Sequence, residues 1–512
     1  MAAALPASPD PTSEPAADRA PIAEHRDLDR TLARGVAWLG VMRSAAQAIT
    51  WASTVLVARI LSADDYGIVS IAAIFVGLPG FFTEFGVARS IILERIRDDR
   101  VVAQLHAVCI ALGAAFTLLL LAVALPVARA FGEPRLGSVL AALAVTALFG
   151  GIAAVPMARV QQALDYRRVA VLELVRSLGQ TGTVLVLALA GARYWALPAG
   201  ILVASLLYML AAVRVGWLRP RRPLRAQVAA PLAYARHVIA GPLLWHVAVH
   251  SDFAVVGRVL DIAAVGFYQF AWNLAALPGE KITNVVQGAA GPFFGSIGGD
   301  HAALRRYLLI VTESLAILVI PVLVGFICVA PEVIPLVFGA KWQPAVLALQ
   351  ILVLYALAQN LVVIVNLTMN AAGFARLGTI TGAVLVVVVP GLFWLAASMA
   401  GIIGVAAVWA VVQPALLLVP LLVARRAFGL SLRAYATTLA APSLAAAVMA
   451  TAVWTVAWLL RAEPAPLRAV AMIGTGAVTY VATLWLVSRE RLLVLRGVWS
   501  TRRQPPAVAA LA

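Results

Sequence analysis

Long apolar stretches recur along this chain, and each is able to cross about 30 Å of hydrocarbon as an α-helix. The first set lies near 36–58, 66–90, 105–128, 138–158, 171–191 and 196–216. A second lies near 232–256, 263–292, 307–330, 345–370, 377–398, 402–424, 434–459 and 467–487, which makes about fourteen spans. The residues are 63% hydrophobic and only 12% charged, with a mean hydropathy of +0.95, a balance that a water-soluble globule of 512 residues would not show. The fold class expected is therefore an all-α integral membrane protein.

Charge then orients the spans. A net charge of +16 is also found in nucleic-acid binders, but those gather Lys and Arg on one folded face. Here arginines punctuate the apolar runs in short groups such as Arg219-Pro220-Arg221-Arg222 and Arg425-Arg426, which excludes that class. With the N-terminus inside, most of the 39 basic residues fall in cytoplasmic segments, among them Arg95, Arg97 and Arg100, then Arg167 and Arg168. Both termini are expected to be cytoplasmic. Residues 1–34, rich in Ala, Pro and charge, read as a disordered cytoplasmic tail with no cleavable signal. Cys109 and Cys328 sit far apart inside apolar runs, so neither a disulfide nor a thiolate metal site is expected, and no cofactor is.

The chain also contains a weak internal repeat. Residues 57–80 align with 256–279 without a gap, with identities at Val57/Val256, Arg59/Arg258, Leu61/Leu260, Gly67/Gly266, Ala72/Ala271, Leu78/Leu277, Pro79/Pro278 and Gly80/Gly279. Six spans separate the two copies, and an even number preserves orientation. Two parallel six-helix lobes are expected, related by an axis along the membrane normal with a site between them. The organisation expected is an N-lobe at 35–216, a basic linker at 217–231, a C-lobe at 232–426, an appended helix pair at 427–487 and a cytoplasmic tail at 488–512.

Three motifs carry a family resemblance: residues 57–67 with Phe82-Thr83-Glu84-Phe85-Gly86, residues 252–260 leading to Gly266-Phe267-Tyr268, and residues 330–342 ending in Lys341-Trp342. In this order they resemble the polysaccharide transporter (Wzx-type) flippases of the multidrug/oligosaccharidyl-lipid/polysaccharide flippase superfamily. The likeness is to the branch of colanic-acid and teichuronic-acid exporters and runs through most of residues 35–425. It implies two six-helix bundles around an alternately opening cavity in the bacterial inner membrane. It also implies as cargo an undecaprenyl-diphosphate-linked oligosaccharide for surface or exopolysaccharide assembly. H⁺ or Na⁺ is the candidate coupling ion, and polysaccharide polymerase machinery the candidate partner.

Few polar residues fall inside the spans, where a charge costs about 2.5–3.5 kcal/mol on insertion scales and calls for a lumen or a partner. Arg43 and Gln47 share one face of the first span. Gln269, Asn273, Lys281, Asn284 and Gln287 lie on or near one face of the eighth, where Pro278-Gly279 can bend the helix. Arg43, Gln47, Arg89, Asn273, Lys281 and Asn284 are the cargo-binding candidates. The alternative for Arg43 and Lys281 is that their long stems snorkel to the interface. Glu84 and Asp252 are the ion-coupling candidates, whereas Glu173 and Arg176 are spaced for a local salt bridge. His246 and His250 are spaced to share a metal, but no further acidic or histidine cluster completes a site, so helix-to-helix hydrogen bonding is the expected role. Gln359, Asn366 and Asn370 form a polar stripe suited to interhelical bonds or to sugar contact. Asp64-Asp65 suits a helix N-terminus.

Two other functions use the same kind of chain. A membrane glycosyltransferase or polymerase acting on the same lipid-linked sugars would need an acceptor-binding domain, and the external loops are too short to supply one. No Gly-rich phosphate loop supports an ATP-driven pump. An ion-coupled exporter of small cationic drugs would favour an acidic lining, whereas Arg43, Arg89 and Lys281 favour anionic cargo. The expectation is a transporter, not an enzyme.

Overall fold

The computed structural model describes residues 50–163 and 165–500. Met1–Ser53 and Thr54–Ala512 are separate compact units, and the bundle of long helices belongs to the second. Its described residues are helical nearly throughout, with no strand. The first of the expected spans falls largely outside the described residues.

Helix α1 runs from Ala63 to Leu93 in pieces: Ala63–Val76, Leu78–Phe82, a π-helical turn over Thr83–Ala88, and Arg89–Leu93. Next come α2 (Asp99–Phe131), α3 (Pro134–Gln162), α4 (Tyr166–Leu189) and α5 (Ala196–Gly216). The second half holds α6 (Arg225–Val259), α7 (Ile262–Ser296), α8 (His301–Phe338) and α9 (Val346–Ala371). It ends with α10 (Arg376–Phe428), α11 (Leu432–Leu459) and α12 (Ala465–Ser500). Helix α10 holds two expected spans, because Ala400 and Gly401 leave helical geometry and turn the chain back. Among the described residues 11 helices are long and apolar enough to cross a membrane when α10 counts once. Helix α7 is not among them, although its 35 residues exceed the needed length, because amides and the Glu280-Lys281 pair dilute its apolar surface.

Helix ends follow local rules. Ser62 caps α1 through a box with Asp65: the Asp65 N–H donates to Ser62 Oγ at 3.2 Å, and the Ser62 N–H donates to Asp65 Oδ2 at 2.8 Å. The repeat-equivalent residue, Asp261, caps α7 by accepting from the Ala264 N–H at 2.7 Å. Asp98, Glu133, Asp165, Asp300 and Ser431 begin other helices in the same way, and Gly132 and Gly429 end two in the left-handed region.

Successive helices alternate between two ends of the bundle. Ser62, Gly132, Asp261, Gly339 and Gly401 lie at the first end; the α1–α2, α3–α4, α5–α6 and α9–α10 connections lie at the second. The largest buried apolar cluster joins α1 and α3 to α6 through α10 and includes Ile68, Leu140, Phe253, Tyr268, Leu349 and Trp409. A smaller cluster on α8, α11 and α12 seats the last two helices against the second half, where Arg468 also pairs with Glu332.

The two copies of the repeat meet at the first end. A Cβ on Gly67 would lie 2.0 Å from the Ile262 carbonyl oxygen, and a Cβ on Gly266 would lie 1.8 Å from that of Ala63. Ala63 and Ile262 are themselves repeat equivalents. The contact is therefore isologous, each glycine admitting the other helix's backbone, as a twofold relation requires. A clasp lies beside it. Arg59 donates to the Val337 and Leu336 carbonyls at 2.7 and 2.6 Å, and Lys341 Nζ donates to the Arg59 and Leu61 carbonyls at 2.8 and 2.6 Å. The fully buried Trp342 donates its indole N–H to the Ala58 carbonyl at 2.9 Å. Asp65, committed to its capping box and buried, is not presented as a catalytic carboxylate.

Candidate functional site

With the first end packed shut, the clefts in the bundle open toward the second. Their shape begins with the break in α1. Pro79 lacks an N–H to continue the ladder, and the following π turn inserts an extra residue per turn, which rotates Glu84 and Arg89 relative to the first half of the helix. Glu84 then lines two adjoining clefts within the first half, of about 250 and 570 Å³, together with Arg176 of α4 and Tyr208 of α5. Arg176 sits 3.8 Å from Glu173, the local pair expected from the spacing, and its guanidinium lies 5.7 Å from the Tyr208 ring centroid. The Glu84 side chain makes no hydrogen bond or direct ion pair among the described residues and is exposed to the clefts.

Arg89 lines the larger of these clefts and also a cavity of about 810 Å³ that reaches across to α6, α9 and α10. The second-half walls of that cavity are uncharged among the described residues, with polar side chains set among apolar ones such as Val238, Val362, Met369 and Leu416. Gln359, Asn366 and Asn370 of α9 face it, joined by Gln413 of α10, whose side-chain N–H donates to Gln359 Oε1. Tyr234 and Trp245 of α6 and Thr379 and Thr381 of α10 add hydroxyl and ring surface. Phe374 and Ala375, in the α9–α10 connection, place its mouth at the second end.

The structure separates the other candidates from this cavity. Arg43 and Gln47 lie outside the described residues. Asn273, Lys281 and Asn284 are exposed on α7 but line none of the four described cavities, and Asn273 accepts from Gln269 at 2.8 Å. The helix stays regular through Pro278-Gly279, where Gly279 packs on Asn360 and Thr283 donates to Asn360 Oδ1. Asp252 is fully buried and lines none of these cavities either. Its carboxylate accepts from Tyr268 OH at 2.9 Å, from Trp409 Nε1 at 2.8 Å and from the Phe253 N–H at 2.6 Å. Trp272, Tyr355 and Trp409 pack around that anchor with ring centroids 4.8–5.9 Å apart.

His246 and His250 stack with centroids 4.0 Å apart and face backbone: His246 Nε2 lies 3.3 Å from the Ile74 carbonyl and His250 Nδ1 lies 3.0 Å from that of His246. Among the described residues no group of three or more His, Cys, Asp or Glu is placed to hold a metal ion. Sequence reasoning assigns no site role to Tyr268, Trp409 or Gln413. A buried Asp252 implies a partner, but a tryptophan 157 residues away carries no local signal of that role.

The chain is similar to several known proteins. The chain is 24% identical over 320 residues to the succinoglycan biosynthesis transport protein ExoT of Rhizobium meliloti (strain 1021), covering 62% of this chain and 64% of that one. It is 24% identical over 313 residues to the lipopolysaccharide biosynthesis protein WzxC of Escherichia coli (strain K12), covering 60% and 63%. The matches thus span a little under two thirds of either relative. Among solved structures, the lipid II flippase MurJ in an inward closed conformation superposes with a TM-score of 0.72 at 14% identity, covering 88% of this chain and all of that one, which establishes a common fold. Over residues 56–347, more than half its length, the chain matches the family described as polysaccharide biosynthesis protein, and it belongs to that family.

Proposed function

We propose that this protein is a transporter that carries an undecaprenyl-diphosphate-linked oligosaccharide from the inner to the outer leaflet of the bacterial cytoplasmic membrane, by alternating access, for surface polysaccharide assembly. The observation that carries the reading is the cavity of about 810 Å³ closed toward one end of the bundle and lined, among the described residues, by a single cation, Arg89, with neutral amides, aromatic rings and aliphatic side chains around it. A diphosphate needs a cation, and sugars need many uncharged donors and acceptors. The lipid tail can remain in the bilayer while the head group enters. The names of the relatives point the same way: one is a transport protein of succinoglycan biosynthesis, another a lipopolysaccharide biosynthesis protein.

In this reading the second end is cytoplasmic, because Arg95, Arg97, Arg219, Arg221, Arg222 and Arg376 gather in its connections. The halves expected at 35–216 and 232–426 rock against each other, the Gly67–Gly266 contact parting as the first end opens, and α11–α12 move with them as an appended pair. Glu84, in the first-half cleft, and Asp252, in the second-half core, are the carboxylates that this reading assigns to a coupling H⁺ or Na⁺. Of the three cations expected to favour anionic cargo, Arg89 lines the cavity, Lys281 faces none of the described cavities and Arg43 lies outside the described residues, so this proposal uses Arg89.

Arg89→Ala tests the proposal. In cells whose own flippase for this lipid has been deleted, the variant is expected to insert normally and to lower export of the polysaccharide at least about tenfold, the loss of one charge-assisted contact. Lipid-linked oligosaccharide should then accumulate on the cytoplasmic leaflet. Undiminished export by Arg89→Ala overturns the reading. Export of small cations that depends on Glu84 and not on Arg89 would favour the drug-exporter alternative.

A further inference from the structure

The large cavity is unequal in its two walls, and that inequality has a chemical meaning. The first-half clefts carry Glu84, Glu173, Arg89 and Arg176. Across from Arg89 the described residues of the second-half wall carry no charge; there Gln359, Asn366, Asn370 and Gln413, with Thr379 and Trp245, are set among apolar side chains such as Val238, Val362 and Leu416. Helix α9 is the most enclosed of the described membrane-length helices, 67% of its most apolar stretch being buried, against 50% or less for the rest. Beyond that stretch, at its second-end half, the exposed Asn366 and Asn370 line the cavity.

One further atom points to a ligand. Gln413 is fully buried at this wall; its N–H serves Gln359 and its Oε1 has no hydrogen-bond partner among the described residues. Turning both amides over only exchanges the orphaned oxygen for an orphaned N–H. A closed Gln359–Gln413 pair thus always leaves one polar atom unmet, and an entering hydroxyl, which both donates and accepts, resolves this as the amides part.

We infer that the α9–α10 amide wall is a sugar-specificity subsite: it reads the hydroxyl and amide groups of an uncharged sugar next to the diphosphate, while Arg89 opposite holds the phosphate. This rests on the proposed cargo and adds which wall discriminates among glycans. Trp245 supplies a ring face for the sugar's C–H surface, and a wall whose described residues include no acid is suited to neutral sugars and does not repel acidic ones elsewhere in the repeat unit.

The test uses the full-length protein in nanodiscs and four probes: undecaprenyl diphosphate, and the same lipid carrying one glucose, galactose or N-acetylglucosamine. Binding is read by native mass spectrometry. The parent is expected to bind at least one glycosylated probe about tenfold more tightly than the sugar-free lipid, since a site built to bond a hydroxyl discriminates against a ligand lacking it. Gln413→Leu with Asn366→Leu should erase that preference and leave sugar-free binding within about twofold. Asn370→Ala, a milder change at an exposed position, should reduce the preference without any change in the protein's thermal unfolding. Arg89→Ala should weaken all four probes alike. A parent that binds all four equally, or wall variants that keep the preference, overturns the subsite while leaving the cargo reading intact. A parent that binds none of the four overturns the cargo reading and the subsite with it.

Discussion

Gly67 and Gly266 are where single atoms decide what the protein can do. An added methyl at Gly67 would meet the Ile262 carbonyl oxygen, which belongs to a helix backbone and cannot swing aside as a side-chain tip could. Gly67→Ala is expected to destabilise the closed first end by about 1–3 kcal/mol. The readout is alkylation of a cysteine placed at Val265, which is fully buried here, in a background lacking Cys109 and Cys328. Labelling should rise severalfold, and unchanged labelling would mean that this contact does not hold the end shut. Asp252 makes a second residue-scale prediction. Asp252→Leu orphans the Tyr268 hydroxyl and the Trp409 indole at a cost of about 1–3 kcal/mol each, seen as a lower Tm. Asp252→Asn keeps an acceptor and should fold like the parent. If Asp252 also binds the coupling ion, the Asn variant loses the response of transport to an ion gradient; a normal response would leave Asp252 a purely structural anchor.

Elements extend these contacts across the first end. The clasp joins the first-end segment before α1 to the 3₁₀ turn Ala340–Ala345 that precedes α9, and it uses carbonyls at helix ends that have no ladder partner. Lys341→Met keeps the stem and removes both of its hydrogen bonds, so Val265 labelling should again rise, and rise further with Arg59→Ala added. A clasp of no consequence would leave both variants at parental labelling. Most element boundaries were readable from sequence, because apolar length and capping chemistry are local. The α10 break fell where two spans were expected to part, at Gly401, whose φ of +59° lies in the region that glycine enters without steric cost. The π turn in α1 was not readable, since one extra residue in a helical turn leaves the composition of the segment unchanged.

At the scale of the whole molecule, a bundle shut at one end and cleft at the other is what the proposed alternating access requires of one of its two states, and the repeat offers a route to the other. A twofold contact between equivalent glycines closes the first end by backbone packing alone, so that in the proposed cycle two related halves could part there without unfolding either. Charge distribution reinforces the asymmetry, for the arginine-rich connections lie at the cleft end and the clasp at the other.

Sequence by itself determined that this chain is a many-spanning helical membrane protein with a duplicated core, because hydrocarbon thickness imposes a length on every span and a repeat persists as spaced identities. It also marked Glu84, Arg89, Asp252 and the α9 amides as polar residues that lipid would not tolerate uncompensated. Only the tertiary structure decided what compensates each one: Tyr268 and Trp409 for Asp252, open clefts for Glu84 and Arg89, and Gln413 for Gln359. Those partners come from helices far apart in the chain, and which faces meet depends on how every helix packs around the others, information that no single segment carries.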